Sequence, residues 1–199
     1  MVGRFQEVGL DYFNLVAPIS ELGTMTIAEQ TQFGHLAQSC VRGEVGKPCG
    51  RCVKCFRKSL TMGAITGEWP DANRVRQYFS QRGVQNYLFT VPIRLEIVLM
   101  EVMSNYAGGD PILSELKERV SHPELNTSFT RGWYEPGIRD MVPPQYYEQT
   151  VQSLNRFLPQ MTPEQELAFE NFSLTSFVES GKESGSVARW MDILPGLAN

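Results

Sequence analysis

The sequence predicts a mostly helical protein of the α+β class, in which a small N-terminal α/β part with a cysteine loop precedes a helical C-terminal region. Three observations lead to this prediction. One short run of β-forming residues lies near the start, all four cysteines lie between residues 40 and 55, and helical periodicity dominates from residue 67 onward. The predicted units are therefore residues 1–66 and residues 67–199.

The N-terminal unit contains one predicted strand and one predicted helix. A short apolar run of β formers spans residues 10–17 and predicts the strand. Thr26 and Glu29 have the spacing of a capping box, so a helix is predicted over residues 27–38. His35 falls on this helix, where we expect a surface or packing residue, or a group serving a neighbouring site, rather than a metal ligand.

All four cysteines lie in one short segment rich in turn-forming residues. They are Cys40, Cys49, Cys52 and Cys55. A Cys-x-x-Cys pair lets two thiolates reach one ion from a tight turn, and here that spacing occurs twice in succession. Free cysteines used only for packing would be scattered along the chain instead. The cluster therefore predicts one metal ion bound by four thiolates.

The predicted metal is a structural zinc ion. A closed set of four thiolates leaves no coordination position for water, so the site is expected to stabilise the loop. The alternative is an iron–sulfur cluster, because Cys-x-x-Cys-x-x-Cys is also half of a ferredoxin pattern; there, however, the fourth cysteine usually follows on the C-terminal side. No signal peptide opens the sequence, which favours a reducing, cytoplasmic compartment and disfavours a disulfide.

Basic residues surround the cysteines, with Glu44 as the single acidic residue among them. The basic residues are Arg42, Lys47, Arg51, Lys54, Arg57 and Lys58. Nearby cations stabilise the formal charge of about minus two on a zinc ion with four thiolates. Arg42, Lys47 and Arg51 are in addition candidate contacts for a substrate or a phosphate.

Start signals after the cysteine loop predict a series of helices. Their predicted ranges are residues 56–64, 72–81, about 91–106, 112–120, from 144 onward, and 163 to about 180. The clearest signals are the N-cap residues Asp71, Asp110 and Thr162. Residues 181–186 are a predicted polar hinge. The amphipathic segment 187–197 is expected to dock on the core, with docking on another chain as the alternative.

Residues 122–144 form a predicted loop-rich segment. We expect Trp133 and Tyr134 to cover the helical core and the charged residues nearby to be solvated. The alternative is a binding site, in which Arg131 or Arg139 meets a carboxylate or phosphate through two parallel hydrogen bonds.

Composition and charge disfavour several classes of function. The 199 residues are 42% hydrophobic, which permits an ordinary core, and the net charge of −4 does not favour general nucleic-acid binding. The most apolar run, residues 88–103, is interrupted by a proline and three charged residues, so no membrane span is predicted. No Ser-His-Asp or Cys-His catalytic set is evident.

The cysteine loop and the segment before it resemble a known family. Cys40, a spacer and the string PCGRCVKC (residues 48–55) resemble the zinc loop near the C-terminus of 7-cyano-7-deazaguanine synthases, which are PP-loop ATP pyrophosphatases of the adenine-nucleotide α-hydrolase-like class. The order of strand, proline loop (residues 18–21) and helix is also similar, and the resemblance covers residues 10–60. It implies a PP-loop remnant with zinc at the four cysteines, and substrate contacts from the proline loop and the basic loop.

The sequence lacks the part of that family that holds ATP. The phosphate-binding string SGGxDS does not occur in it, and the nearest string, GGDP at residues 108–111, lacks the serines and fits a helix start better. ATP is therefore expected only together with a partner chain.

Two hypotheses about function follow. In the first, the chain is the zinc-binding component of an ATP-dependent, adenylating ligase or synthase, and its partner is an ATP-binding PP-loop subunit or a second copy of the chain. In the second, it is a non-catalytic, zinc-stabilised helical module that binds another protein.

Overall fold

The computed structural model describes residues 14–38, 40–182 and 184–197, and this part of the chain is built almost entirely of helices. The α-helices in it are α1 (Glu21–Gln30), α2 (Val53–Thr66), α3 (Ala72–Phe79), α4 (Arg82–Leu88), α5 (Glu96–Ser104), α6 (Pro111–Val120), α7 (Glu135–Met141), α8 (Pro144–Leu154), α9 (Pro163–Glu170), α10 (Leu174–Glu179) and α11 (Ser184–Leu197). Single-turn 3-10 helices lie at Gly34–Leu36 and Ser128–Arg131. The predicted fold class, mostly helical with a four-cysteine loop, is confirmed.

Most of the helices enclose one large apolar core. Helices α2 to α6 and α11 supply most of its buried side chains, including Phe56, Phe79 and Trp190. The indole N–H of Trp190 donates to the carbonyl of Leu88 at 3.0 Å, so the C-terminal helix is tied to the core as expected. The core contains residues from both sides of residue 66, and the predicted domain boundary there stays a prediction.

A smaller apolar cluster holds the proline loop in place. Trp133 is fully buried in it, and its backbone pairs with residues on either side of Gln160. The next backbone N–H, that of Tyr134, donates to the Pro18 carbonyl at 3.1 Å. Trp133 therefore packs in this smaller cluster rather than on the main core, and the consequence is a fixed entry into α1.

A buried ion pair joins α5 to α6. The Arg119 guanidinium donates to the Glu96 carboxylate at 2.6 Å, and both side chains are almost completely buried. The same carboxylate accepts the backbone N–H of Ile93 at 2.5 Å, and the imidazole Nε2 of His122 lies 3.9 Å from it. Because each charge has been removed from water, each depends on its partner.

Three predicted helix starts are confirmed. The side chains of Asp71, Asp110 and Thr162 each accept a backbone N–H from the first turn of α3, α6 and α9. Thr162 and Gln165 form a complete capping box. These signals succeed because the hydrogen bond involved spans only two or three residues.

The predicted N-terminal strand is wrong over its described part. Residues 15–18 form a turn, in which the Ile19 N–H donates to the Val16 carbonyl at 3.1 Å. Residues 10–13 lie outside the described residues. Pairing of Ile19 and Trp133 is an isolated bridge, and no longer strand occurs among the described residues.

The first helix begins earlier and ends earlier than predicted. Ser20 is its N-cap, and its hydroxyl accepts the Gly23 N–H at 2.9 Å. Thr26 lies inside the helix, where its hydroxyl donates to the Leu22 carbonyl. The helix stops at Gln30, so His35 lies on the short 3-10 turn that follows.

The predicted helix over residues 91–106 begins only at Glu96. Leu95 has a φ of 62°, a left-handed conformation that an α-helix does not continue through. The Glu96 side chain folds back to accept the Ile93 N–H, which places Ile93 in the core and leaves Val91 and Leu95 exposed.

Three further element predictions are wrong in their bounds. The segment 122–144 contains α7, whose proline at the first turn is compatible with a helix as well as with a turn. The helix predicted from 163 to 180 is interrupted at residues 171–173, where Ser173 caps α10. The predicted hinge 181–186 overlaps the start of α11 at Ser184.

None of the described helices is long and apolar enough to cross a membrane.

Replacing the buried arginine should cost far more stability than replacing an exposed one. In Arg119→Met the Glu96 charge stays buried without its cation, so we expect the free energy of unfolding to fall by about 3–5 kcal/mol. Arg189→Met is the matched control, because Arg189 pairs with Glu115 at the surface and such pairs contribute about 0–1 kcal/mol. Urea unfolding of both variants measures the difference, and equal losses would show that the buried pair has no special role.

Candidate metal centre

The four cysteine sulfurs converge on one point. All four Sγ atoms lie within 4.8 Å of one another. The Cys40–Cys52 and Cys49–Cys55 sulfurs are 3.9 Å apart, and the Cys52–Cys55 sulfurs are 3.6 Å apart. Four sulfurs placed tetrahedrally at about 2.3 Å from one ion are separated by about 3.8 Å. The cluster therefore has the dimensions to hold a single metal ion such as zinc.

The local chain conformation explains how the sulfurs meet. Cys52 is the N-cap of α2 and Cys55 lies in its first turn. Gly50, between the first cysteine pair, has a φ of 68°, a conformation that glycine adopts without strain. Gly43 lets the chain return to Cys40, since a Cβ at this position would lie 2.2 Å from the Lys47 carbonyl oxygen.

Backbone hydrogen bonds and burial give the thiols different acidities. The Cys49 N–H donates to the Cys40 sulfur at 3.4 Å and lowers the pKa of Cys40 to about 6. The Arg51 N–H likewise lowers the pKa of Cys49. Burial raises the pKa of Cys55 to about 12. A metal ion would thus meet an existing thiolate at Cys40 and displace the proton from Cys55.

Two clefts border the cysteines. The outer cleft, of about 350 Å³, is lined by Cys49, Cys52 and the exposed cations Arg42, Arg51 and Lys54, together with residues from α2 and the start of α4. The inner cleft, of about 220 Å³, is lined by Cys40 and Cys55. Its polar side chains come from His35, Gln38, Lys58, Ser59, Arg74 and Tyr78. No aspartate or glutamate lines either cleft among the described residues.

The proline loop lies close to the inner cleft. Glu21, at the end of that loop, pairs with Arg57 on α2. A third cleft, of about 360 Å³, runs from Glu21 to Lys58 and shares four residues with the inner cleft. Helix α2 therefore carries the cysteine cluster at its start and contacts the proline loop one turn further on.

The structure brings together only some of the candidate contact residues. Arg42 and Arg51 line the outer cleft, whereas Lys47 is exposed in a turn that pairs with Glu44 and lines neither cleft. Arg131 donates to Glu101, and Arg139 donates to Glu135 at 2.5 Å, so both side chains have carboxylate partners away from the two clefts.

Three residues of the inner cleft were not among the candidate contacts. His35 was expected to pack, to lie at the surface or to serve a neighbouring site, and the structure places it on the inner cleft. Lys58 follows the last cysteine closely, so its place on the first turns of α2 could have been found from helical spacing. Arg74 comes from α3, beyond the segment that resembles a known family, and no local signal in the sequence indicates its role.

The chain belongs to a family of unknown function, DUF6395, whose sequence profile matches residues 1–173. The match covers the whole cysteine loop and all helices from α1 to α9. A search of curated proteins and a search of solved structures each found no match to the chain.

Removing one thiol should remove both the metal and much of the stability. A structural zinc site contributes apparent binding energy on the order of 10 kcal/mol at neutral pH, so Cys52→Ser is expected to lose its metal and to unfold at a much lower temperature. Val45→Ser, in the same loop at a fully exposed position, is the control and should melt like the unaltered protein. Metal content and Tm are the measurements, and an unchanged Tm in Cys52→Ser would contradict a structural metal.

Proposed function

We propose that this chain is the zinc-bearing component of a PP-loop-type, ATP-dependent ligase or synthase, and that an ATP-binding PP-loop partner completes the enzyme. The observation that carries the proposal is the geometry of the cysteine loop. A Cys-x8-Cys-x2-Cys-x2-Cys segment, entered from a proline loop and a helix, brings its sulfurs to the spacing of one tetrahedral ion.

The spacing of the sulfurs supports zinc over a four-iron cluster. In a four-iron cluster each cysteine binds a different iron, so the cluster itself separates the sulfurs. A span of 4.8 Å suits ligands of the same ion. Zinc accepts four thiolates in a closed tetrahedron, and such a site holds the loop in position without taking part in chemistry.

The neighbourhood of α2 supports a substrate side shared by two loops. The proline loop reaches α2 through Glu21 and Arg57, and the cysteine loop leads directly into the same helix. Adjoining clefts connect the two loops. In the proposed enzyme, adenylation of a carboxylate or carbonyl takes place beside this face, with ATP held by the partner and AMP displaced by ammonia or another nucleophile.

Exposed apolar side chains around the cysteine loop support the presence of a partner. Phe33, Leu36, Val41 and Val45 are all exposed large hydrophobic residues, and all lie within thirteen positions of one another in the sequence. Apolar side chains gathered in one exposed segment are typical of surfaces that contact another protein. The segment flanks the metal cluster, which would hold it in a fixed shape for binding.

The second candidate is a zinc-stabilised module that binds a protein without catalysis. The full sequence has no SGGxDS phosphate loop, and this alternative explains that fact without a second, nucleotide-binding polypeptide. Both candidates use the same exposed segment. They differ in whether the partner binds ATP.

Metal analysis separates zinc from iron. Protein purified from its native host should contain about one zinc per chain and should be colourless, because zinc has a filled d shell and no visible absorption. The absorption spectrum and elemental analysis are sufficient, and a brown preparation that contains iron and sulfide would rule out the zinc assignment.

The partner hypothesis predicts inactivity alone and activity in a complex. The isolated chain should bind ATP no more than weakly and should not convert it to AMP and pyrophosphate. A PP-loop protein encoded nearby should co-purify with it in equal amounts and supply that activity. Tight ATP binding by the chain alone would overturn the proposal, and recovery of only non-nucleotide-binding partners would favour the second candidate.

A matched pair of variants tests the binding surface. Leu36→Asp places a charge in the exposed segment beside the cysteine loop, and Leu167→Asp does the same on α9 at nearly equal exposure, 68% against 62%. Only the first variant should lose the partner during co-purification, and both should keep their metal.

A further inference from the structure

Two partly buried cations beside the metal cluster have no carboxylate partner among the described residues. In the part of the chain that the structure describes, five arginines have a carboxylate partner; the pairs are Arg57–Glu21, Arg119–Glu96, Arg131–Glu101, Arg139–Glu135 and Arg189–Glu115. Lys58 and Arg74 form no such pair among the described residues, although both line the inner cleft. Their positive charges therefore remain available to a bound anion.

Arg74 is held in a defined position by neutral groups. Its guanidinium donates to the Gln77 side chain at 2.7 Å and lies 5.0 Å from the centre of the Tyr78 ring. It also packs against the backbone of Gly50, because a Cβ there would lie 2.3 Å from an Arg74 nitrogen. None of these contacts neutralises the charge, so Arg74 keeps donors that can bind an oxyanion.

Lys58 faces the same cleft from α2. Its ammonium group donates to the Ala37 carbonyl, which uses one of three donors and leaves the charge without a carboxylate. His35 and Ser59 line the cleft nearby. Cations from two different helices thus border one cleft whose wall has no carboxylate, although Cys40 and Cys55 of the metal cluster also line it.

Besides these polar side chains, Gln38 and the two cysteines, the wall of the inner cleft is apolar. It includes Ala37, Pro48, Met62 and the ring of Tyr78. A volume of about 220 Å³ is below the range of about 300–1,000 Å³ that is usual for drug-sized ligands. The shape and chemistry suit a small molecule with an apolar body and one anionic group.

We propose that the inner cleft is a binding site for a small organic anion, with Lys58 and Arg74 contacting its carboxylate or phosphate and the apolar wall covering its body. The inner cleft is one of the two clefts on the proposed substrate side, so this inference names the substrate class of the proposed enzyme. Binding itself uses residues of this chain alone and requires neither ATP nor a partner. The competing explanation is that Lys58 and Arg74 only balance the charge of the metal-bound thiolates at Cys40 and Cys55.

Three probes test whether binding requires a negative charge and whether the anionic group is a carboxylate or a phosphate. Calorimetric titration of the zinc-loaded full chain should show saturable binding of benzoate, phenyl phosphate or both, which separates a carboxylate ligand from a phosphate ligand. Benzamide has nearly the shape of benzoate without its charge, and it should not saturate. Absence of saturation by both anions, or saturation by benzamide with the affinity of the bound anion, would overturn the proposal.

Variants of the two cations locate the site. Arg74→Gln and Lys58→Gln should each weaken anion binding by about tenfold or more, since each removes a charged hydrogen-bond donor. Arg76→Gln is the matched control, because Arg76 is an exposed residue of the same helix whose guanidinium donates to Asn73. Its affinity should be unchanged, and Tm and zinc content show that all three variants are folded.

The competing explanation gives the opposite result. If the cations serve only the thiolates, Arg74→Gln and Lys58→Gln weaken zinc binding and leave the affinity for the anion unchanged. That outcome would contradict the proposed site while leaving the proposed enzyme assembly unaffected.

Discussion

The convergence of four sulfur atoms on the first turn of α2 is the constraint on which the N-terminal third of the structure depends. Cys52 and Cys55 belong to the start of that helix, and the next residue, Phe56, is already part of the main core. Cys40 reaches the same point from a segment that buries few side chains of its own. A metal at the cluster would thus connect a poorly buried loop to the main core of the protein, which is the usual use of a structural site.

The two sides of α2 have different neighbours. Its buried face, with Phe56 and Leu60, packs against α3 and the rest of the core. Its other side meets the proline loop through Arg57 and lines the inner cleft through Lys58. On the α2 side, a ligand at the clefts would therefore contact a surface whose position is set by the core.

The parts of the fold that the sequence predicts correctly are those decided by short-range contacts. Asp110 caps α6 because its carboxylate reaches N–H groups two and three residues ahead. The start of α5 depends instead on Arg119, 23 residues away, which pairs with Glu96 and favours its folded-back conformation. No pattern near Leu95 indicates that partner. A prediction from helical periodicity alone therefore placed the start of the helix too early, near residue 91 instead of at Glu96.

The candidate site divides in the same way. The cysteine cluster was predicted correctly because its two signals, the residue type and the short spacing along the chain, can both be read from the sequence. Arg131 and Arg139 looked equally suited to bind an anion, yet folding supplies each with a carboxylate from Glu101 or Glu135. Arg74 becomes a cleft residue only because α3 packs next to the Gly50 turn. The Arg139–Glu135 pair is an i,i+4 contact within α7, so its spacing is visible in the sequence once that helix is placed. The partner of Arg131 and the position of Arg74 depend on tertiary contacts, and a linear sequence does not display them.

The position of Trp190 has a consequence for the family as a whole. The family profile ends at residue 173, before α11, yet the Trp190 ring lies 6.4 Å from Phe79, centre to centre, and fills a fully enclosed part of the core. An aromatic volume left empty in a core is strongly destabilising. A relative that shares only the matched region would therefore need another bulky apolar side chain to fill the space of the Trp190 ring. Sequence comparison beyond residue 173 should look for such a residue rather than for a similar helix.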